Sequence, residues 1–279
     1  MSRWRRSLPG NAIYYTMFAL IFVIVFVPIV LVVFGAFKTR TELFQTTPLA
    51  LPSSFLNFSN FKLAYTQGDM LRGLWNTTII AFITLCGNAI LGTMTAYILN
   101  RFQFKLKKVV YGLFLVAMII PAYTTEIARF QIIHSIGMYD ALSAPILIYI
   151  GTDIMQIYIY MQFLEKISSQ LDESAMLDGA TYVRIFRSII FPLLLPATAT
   201  LAILKSVTVM NDVYIPFLYM PSKELVTMST ALMKFVGARG SDLSALCAGI
   251  VLVLIPSAAV YIAFQRFIFK GLMDGAVKG

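Results

Sequence analysis

From Ile13 to Phe37 the chain carries no charged residue, and Pro28 is the only interruption. A run of that length spans the hydrocarbon core of a bilayer as a helix, since about 20 apolar residues are enough to cross it. Five further runs meet or approach the same length: Gly73 to Asn100, Val109 to Thr125, Ala141 to Leu164, Phe191 to Pro216 and Leu243 to Gln265. Backbone polar groups in lipid must be satisfied within their own segment, so these runs predict an all-α integral membrane protein with six transmembrane helices. Composition agrees, because 59% of the 279 residues are hydrophobic and only 13% are charged. Soluble domains lie well outside that range. The net charge of +9 suits nucleic acid in principle. Basic residues on short loops between apolar runs are instead what inner-membrane topology produces, so the bilayer is the expected partner and nucleic acid is not.

Lysine and arginine set the orientation. Both termini inside places thirteen of them on the cytoplasmic side, among them Arg3, Arg5, Arg6, Arg101, Lys105, Lys107 and Lys108, against eight outside, with Lys205 left within a span. The bias predicts cytoplasmic termini. It also predicts an outer stretch at Lys38 to Arg72 and an outer loop carrying Glu126, Arg129 and Asp140. The run before Phe37 lacks a small-residue cleavage site and reads as an anchor.

Glu165 to Pro196 is the longest amphipathic, charge-bearing segment, and it falls on the cytoplasmic side between the fourth and fifth runs. Its pattern predicts two short helices. Ser169 with Asp172 fits a capping box for the first, which ends at Asp178-Gly179, where glycine tolerates the left-handed conformation of a helix stop. Thr181 is placed to cap the second, which carries Val183, Phe186, Ile189 and Ile190.

Glu173, Ser174, Ala175, Gly179, Ile189 and Pro192 stand at the spacing of the EAA loop of ABC importer permeases, and the chain resembles that family there. Ser174 replaces the second alanine of the motif, and Phe191 replaces the leucine before the proline. Leu171, Asp178, Gly179 and Ala180 are similar to the sugar-transporter branch, which usually has a proline at Ser168 and an acid at Gln170. The stretch from Asn76-Thr77 to Arg101-Phe102, with Ala96-Tyr97 near its end, resembles the start of the shared permease core. The tail Gln265-Arg266-Phe267, with Gly271 and Gly275 to Gly279, is similar to the terminus of the carbohydrate-uptake branch of maltose-type permeases.

The resemblance covers residues 73 to 279. It implies the type I ABC importer permease fold in the bacterial inner membrane, as one transmembrane domain over residues 1–279 with an anchor span at 13–37, a permease core at 73–279 and a cytoplasmic coupling loop at 165–191. Glu173, Ser174, Ala175, Asp178, Gly179 and Ala180 are then the residues that dock into a cytosolic ATPase. Gly275, Ala276, Val277, Lys278 and Gly279 would run along the same ATPase. The implied partners are a second permease, usually a different gene product, two ATPase subunits and an extracytoplasmic solute-binding protein. A sugar or oligosaccharide is the implied solute; a polyol phosphate, or a self-sufficient secondary carrier, remains the alternative.

No G-x-x-x-x-G-K-[ST] phosphate loop occurs, so ATP and Mg belong to the partner ATPase, no cofactor is expected on this chain, and it does not read as an enzyme. His134 has no cysteine or second histidine nearby, so no metal site is expected, and Cys86 and Cys247 lie inside apolar runs as expected buried free thiols. A membrane hydrolase or prenyl-transfer enzyme would need Asp153 and Asp212 to converge from different runs. On the fifth run Lys205, Thr208, Asn211 and Asp212 share one helical stripe. Charge is costly in lipid, so the stripe faces protein or a hydrated cavity. Thr208, Asn211 and Asp212 are the candidate translocation path, with packing against the partner permease as the alternative. Asn211-Asp212 also resembles the Trp-Asn-Asp stretch of sugar permeases, with Met210 at the tryptophan.

Overall fold

The computed structural model describes residues 8–237 and 242–276, and among these the chain is helical with no strand. In order the helices are α1 Leu8–Phe37, α2 Arg40–Gln45, α3 Ser59–Gly68, α4 Met70–Arg101, α5 Lys107–Ile119, α6 Glu126–Ser135, α7 Ser143–Ile150 and α8 Ile154–Leu164. Next come α9 Gln170–Leu177 and α10 Tyr182–Ile185, the second running through a π-helical turn at Phe186–Ile190 into α11 Phe191–Leu193. The chain continues as α12 Leu195–Asn211, α13 Tyr214–Tyr219, α14 Met228–Ala231 and α15 Leu243–Ala276. It divides into two compact units, Met1–Met70 with Ala231–Ile255, and Leu71–Thr230 with Pro256–Gly279.

Three of the expected spans are single helices long and apolar enough to cross a membrane: Ile13–Phe37, Met70–Arg101 and Leu243–Ala263. The other three expected runs fall on bent helix pairs, which have the length and composition to cross only when each pair is taken as one span. Lys107–Ile119 meets Tyr123–Ser135 at 96°, Ser143–Ile150 meets Ile154–Leu164 at 50°, and Tyr182–Leu193 meets Leu195–Asn211 at 71°. Each bend has a local cause. Ile120 precedes Pro121 and is extended, with ψ 118°, as the residue before a proline prefers. Asp153 leaves helical geometry, and its carboxylate accepts the Gln156 amide at 2.8 Å, so it caps α8 instead of lying within a continuous span. Pro192 and Pro196 lack amide protons, and the Phe191 amide reaches back five residues to the Phe186 carbonyl in the widened turn. The expected outer loop around Glu126 is partly helical, because α6 begins at that residue.

In the first unit the end of α1 is closed by side chains. Asn60 donates to the Ala36 and Lys38 carbonyls at 2.9 and 2.8 Å, and Asn57 donates to Phe37 at 3.1 Å, which satisfies acceptors that a helix end leaves open. Lys38 is fully buried there and donates to Thr46 Oγ1 and the Thr47 carbonyl, a cation placed where the helix dipole favours one. Thr39 and Glu42 form a reciprocal capping box on α2, and the Ser53 amide holds the Glu42 carboxyl below the usual carboxylate range. Cys247 packs beside Gly35, where an added Cβ would come within 2.8 Å of its sulfur. Both cysteines are free, but Cys86 is exposed and only Cys247 is half-buried, which corrects the expectation for Cys86.

The second unit is built on α4. An added Cβ at Gly92 would lie 2.6 Å from Gln156 Nε2 and 3.0 Å from Tyr160, so the two helix backbones approach closely along this seam, as small residues permit in lipid. Gln156 donates to Asn88 Oδ1 at 2.6 Å, and Asn88 donates to the Gly151 and Ile150 carbonyls exposed by the break between α7 and α8. A buried polar network therefore restores the hydrogen bonds that the bend removes.

Candidate functional site

The 165–191 segment forms a helical knob. α9 ends in a Schellman closure: the Gly179 amide bonds the Met176 carbonyl at 3.0 Å and the Ala180 amide bonds the Ala175 carbonyl at 2.9 Å. Gly179 adopts φ +80°, the left-handed conformation that this closure requires. Thr181 then caps α10, with its hydroxyl accepting the Arg184 amide at 3.4 Å. Ser169 does not form the expected capping box: it is helical, makes no side-chain cap, and Asp172 points elsewhere. The Ser168 hydroxyl accepts the Gln170 amide instead.

Exposure sorts the residues singled out by the motif. Glu173, Ser174, Asp178 and Gly179 are exposed, while Ala175 and Ala180 are half-buried against the apolar core that holds Tyr97, Tyr160, Leu164 and Ile190. Leu177 at 90% and Val183 at 75% exposure give the knob an apolar tip, set between the acids of α9 and the basic Arg184. An exposed leucine and valine flanked by charge form a surface suited to a protein groove.

Sequence reasoning missed the inward acid. Asp172 is buried; its Oδ2 lies 3.1 Å from Arg101 Nε, accepts the Tyr97 hydroxyl at 3.4 Å, and so ties α9 to the last turn of α4. Tyr97 and Arg101, four residues apart on one helical face, carried the available signal. An apolar groove of about 480 Å³ lies beside this tie, lined by Met94, Ile98, Phe102, Phe104, Tyr182 and Phe186 among others.

The fifth-span stripe separates by depth of packing. Thr208 and Asn211 are exposed on α12, and their side chains bond carbonyls of their own helix, Leu204 at 3.0 Å and Val207 at 2.9 Å. Asp212 ends the helix and is fully engaged: it accepts the Tyr149 hydroxyl at 2.7 Å and the Tyr214 amide at 2.8 Å, and its carbonyl accepts from Ser229. Asp153 borders a cavity of about 360 Å³ beside Thr152 and Phe114, and Lys205 is half-buried. Gly275 and Ala276 close α15; Val277, Lys278 and Gly279 lie outside the described residues.

The chain is similar in sequence and in fold to known proteins. The chain is 31% identical to the "Probable starch degradation products transport system permease protein AmyC" of Thermoanaerobacterium thermosulfurigenes, over 90% of this chain and 91% of the relative. It is 30% identical to the "Melibiose/raffinose/stachyose import permease protein MelC" of Bacillus subtilis, over 80% and 82%. Among solved structures, a chain of a bacterial ABC transporter involved in the import of the acidic polysaccharide alginate superposes with a TM-score of 0.82 at 18% identity, covering 95% of this chain and 99% of that one. That likeness establishes the fold. The family described as "Binding-protein-dependent transport system inner membrane component" matches residues 88–273, from the middle of α4 into the last turns of α15, and the chain belongs to it.

Proposed function

We propose that the chain is the permease subunit of an ATP-driven importer that receives a sugar or oligosaccharide from an extracytoplasmic binding protein. It pairs with a second permease and two cytosolic ATPases, which supply ATP and Mg. Relatives named for oligosaccharide import support the solute class. A structure neighbour described in complex with an alginate pentasaccharide-bound periplasmic protein supports the assembly. The observation that carries the reading is the knob itself. Glu173, Ser174 and Asp178 stand exposed on a helix stopped by Gly179, with Leu177 and Val183 projecting, while Ala175 and Ala180 seat it on the core. Such an element docks in an ATPase groove and moves as a body with the spans on either side of it.

Thr208 and Asn211 are the path-lining residues in this reading, because they are exposed polar groups on an apolar helix. Asp212 fixes the outer end of that helix through Tyr149 and Tyr214. The tail Gly275 to Gly279 adds a second ATPase contact. The test is reconstitution in proteoliposomes with its ATPase, second permease and binding protein. Labelled oligosaccharide should accumulate only when ATP and all four components are present. Accumulation by this chain alone, driven by a proton or sodium gradient, would replace the reading with a secondary carrier.

A further inference from the structure

Of the four acids at 165–191, Asp172 alone is turned inward, at 4% exposure. Its partner Arg101 holds two points at once: Nε lies 3.1 Å from Asp172 Oδ2, and Nη2 donates to the Ile167 carbonyl at 2.6 Å, on the segment that leads into α9. Tyr97, one turn earlier on α4, donates to the same carboxylate oxygen. Oδ1 and Arg101 Nε are each buried without a hydrogen-bond partner, so Arg101 and Asp172 meet as an ion pair while the directional bonds are those of Tyr97 to Asp172 and of Arg101 Nη2 to Ile167. A buried ion pair satisfied only in part adds little stability over an apolar replacement, and setting register is its best-attested use. Apolar contacts such as those of Ala175 and Ala180 tolerate sliding, whereas charge-assisted hydrogen bonds fix direction.

The opposite end of α4 is held in the same manner. Asn76 donates to the Glu224 and Val226 carbonyls at 2.9 and 2.8 Å, and Thr77 accepts the Met228 amide at 3.0 Å. Gly73 lets that segment lie against the helix, since an added Cβ would meet the Thr227 backbone at 3.0 Å. Both anchors sit on one unbroken helix, α4, of 32 residues, a rod of about 48 Å at 1.5 Å per residue.

We propose that Arg101, Asp172 and Tyr97 form the joint through which movement of the α9 knob is passed to α4, and that α4 carries it to the outer segment at 224–230. The proposal rests on the reading of α9 as the ATPase-docking element. These three are positioning residues: they touch neither solute nor nucleotide, and they act by making the knob and the second span one rigid body. A coupling route needs a demonstrated coupling and not only spatial continuity.

The experiment uses the reconstituted four-component complex. Asp172→Asn keeps the shape and removes the charge. The reversed pair Arg101→Asp with Asp172→Arg restores an ion pair without either native residue, and so separates the pairing from the fold. Uptake per ATP hydrolysed should fall by about tenfold in Asp172→Asn, within the usual span of coupling between sites. ATPase retention in the purified complex should stay at the wild-type level, and the reversed pair should recover most of the lost ratio. In a background with Cys86 and Cys247 replaced by Ser, a cysteine at Glu224 should change its reactivity on ATP binding in wild type and cease to do so in Asp172→Asn. An unchanged uptake-to-hydrolysis ratio in Asp172→Asn, or a loss of uptake that only tracks a loss of bound ATPase, would overturn the joint. Should the wild-type complex itself fail to couple hydrolysis to uptake, the permease reading falls first, which distinguishes the two failures.

Discussion

Gly179 shows how much one residue contributes to the knob. An added Cβ there would meet nothing within 4 Å, so space does not demand glycine; the φ of +80° does. Gly179→Val should strain the stop by about 1 to 2 kcal/mol or more, shifting the knob while membrane abundance stays normal. Gly179→Asn should be milder, since asparagine visits the left-handed region more readily. Uptake assays beside immunoblots of membranes check both, and full uptake by the valine variant would contradict a docking role for this turn. Sequence spacing made the helix stop at Gly179 legible because its meaning is local. Asp172 was not, because its partners Tyr97 and Arg101 lie on another helix and only the fold brings them together.

At the scale of helices, the apolar runs were legible and their bends were not. Hydropathy sums over a window, so a break of a few residues at Gly151-Thr152-Asp153 leaves the total almost unchanged. The signal was present in the residue types: a glycine followed by a capping acid, or prolines at 192 and 196, mark helix ends even inside an apolar run. The break between α7 and α8 in turn explains the α4 seam, where Asn88 binds the carbonyls freed at the break and Gln156 holds Asn88. Gly92→Ala should press on Gln156, which is hydrogen-bonded and cannot retreat freely, at a cost of about 1 to 3 kcal/mol for overpacking. Gly112→Ala on α5 is the contrasting case, since its Cβ would meet nothing. It should stabilise by about 0.5 to 1 kcal/mol through helix propensity. Thermal unfolding of the purified chain in detergent should therefore move in opposite directions for the two variants, and a shared direction would mean that the seam is looser than its distances imply.

For the molecule as a transporter, the remaining question is where solute passes, and α12 frames it. Thr208 and Asn211 have satisfied their own polar groups within the helix, so nothing in this chain requires them to be exposed, and an exposed polar stripe in lipid is costly. In the proposed reading they face water or the partner permease. Asn211→Cys and Thr208→Cys, made with Cys86 and Cys247 replaced by Ser, distinguish the two. On a hydrated path both should react with a small water-soluble thiol reagent, and the rates should change several-fold between nucleotide-free and ATP-bound complexes, because alternating access exposes the path to one side at a time. Asp212→Cys is a poor probe of the same point, since it removes the acceptor of the Tyr149 hydroxyl and of the Tyr214 amide at the start of α13. It should reduce assembled complex whatever the path does. Protection of both Asn211→Cys and Thr208→Cys in every state would assign the stripe to the permease interface, where buried polar side chains hold helices together, and would move the solute path off this face of α12.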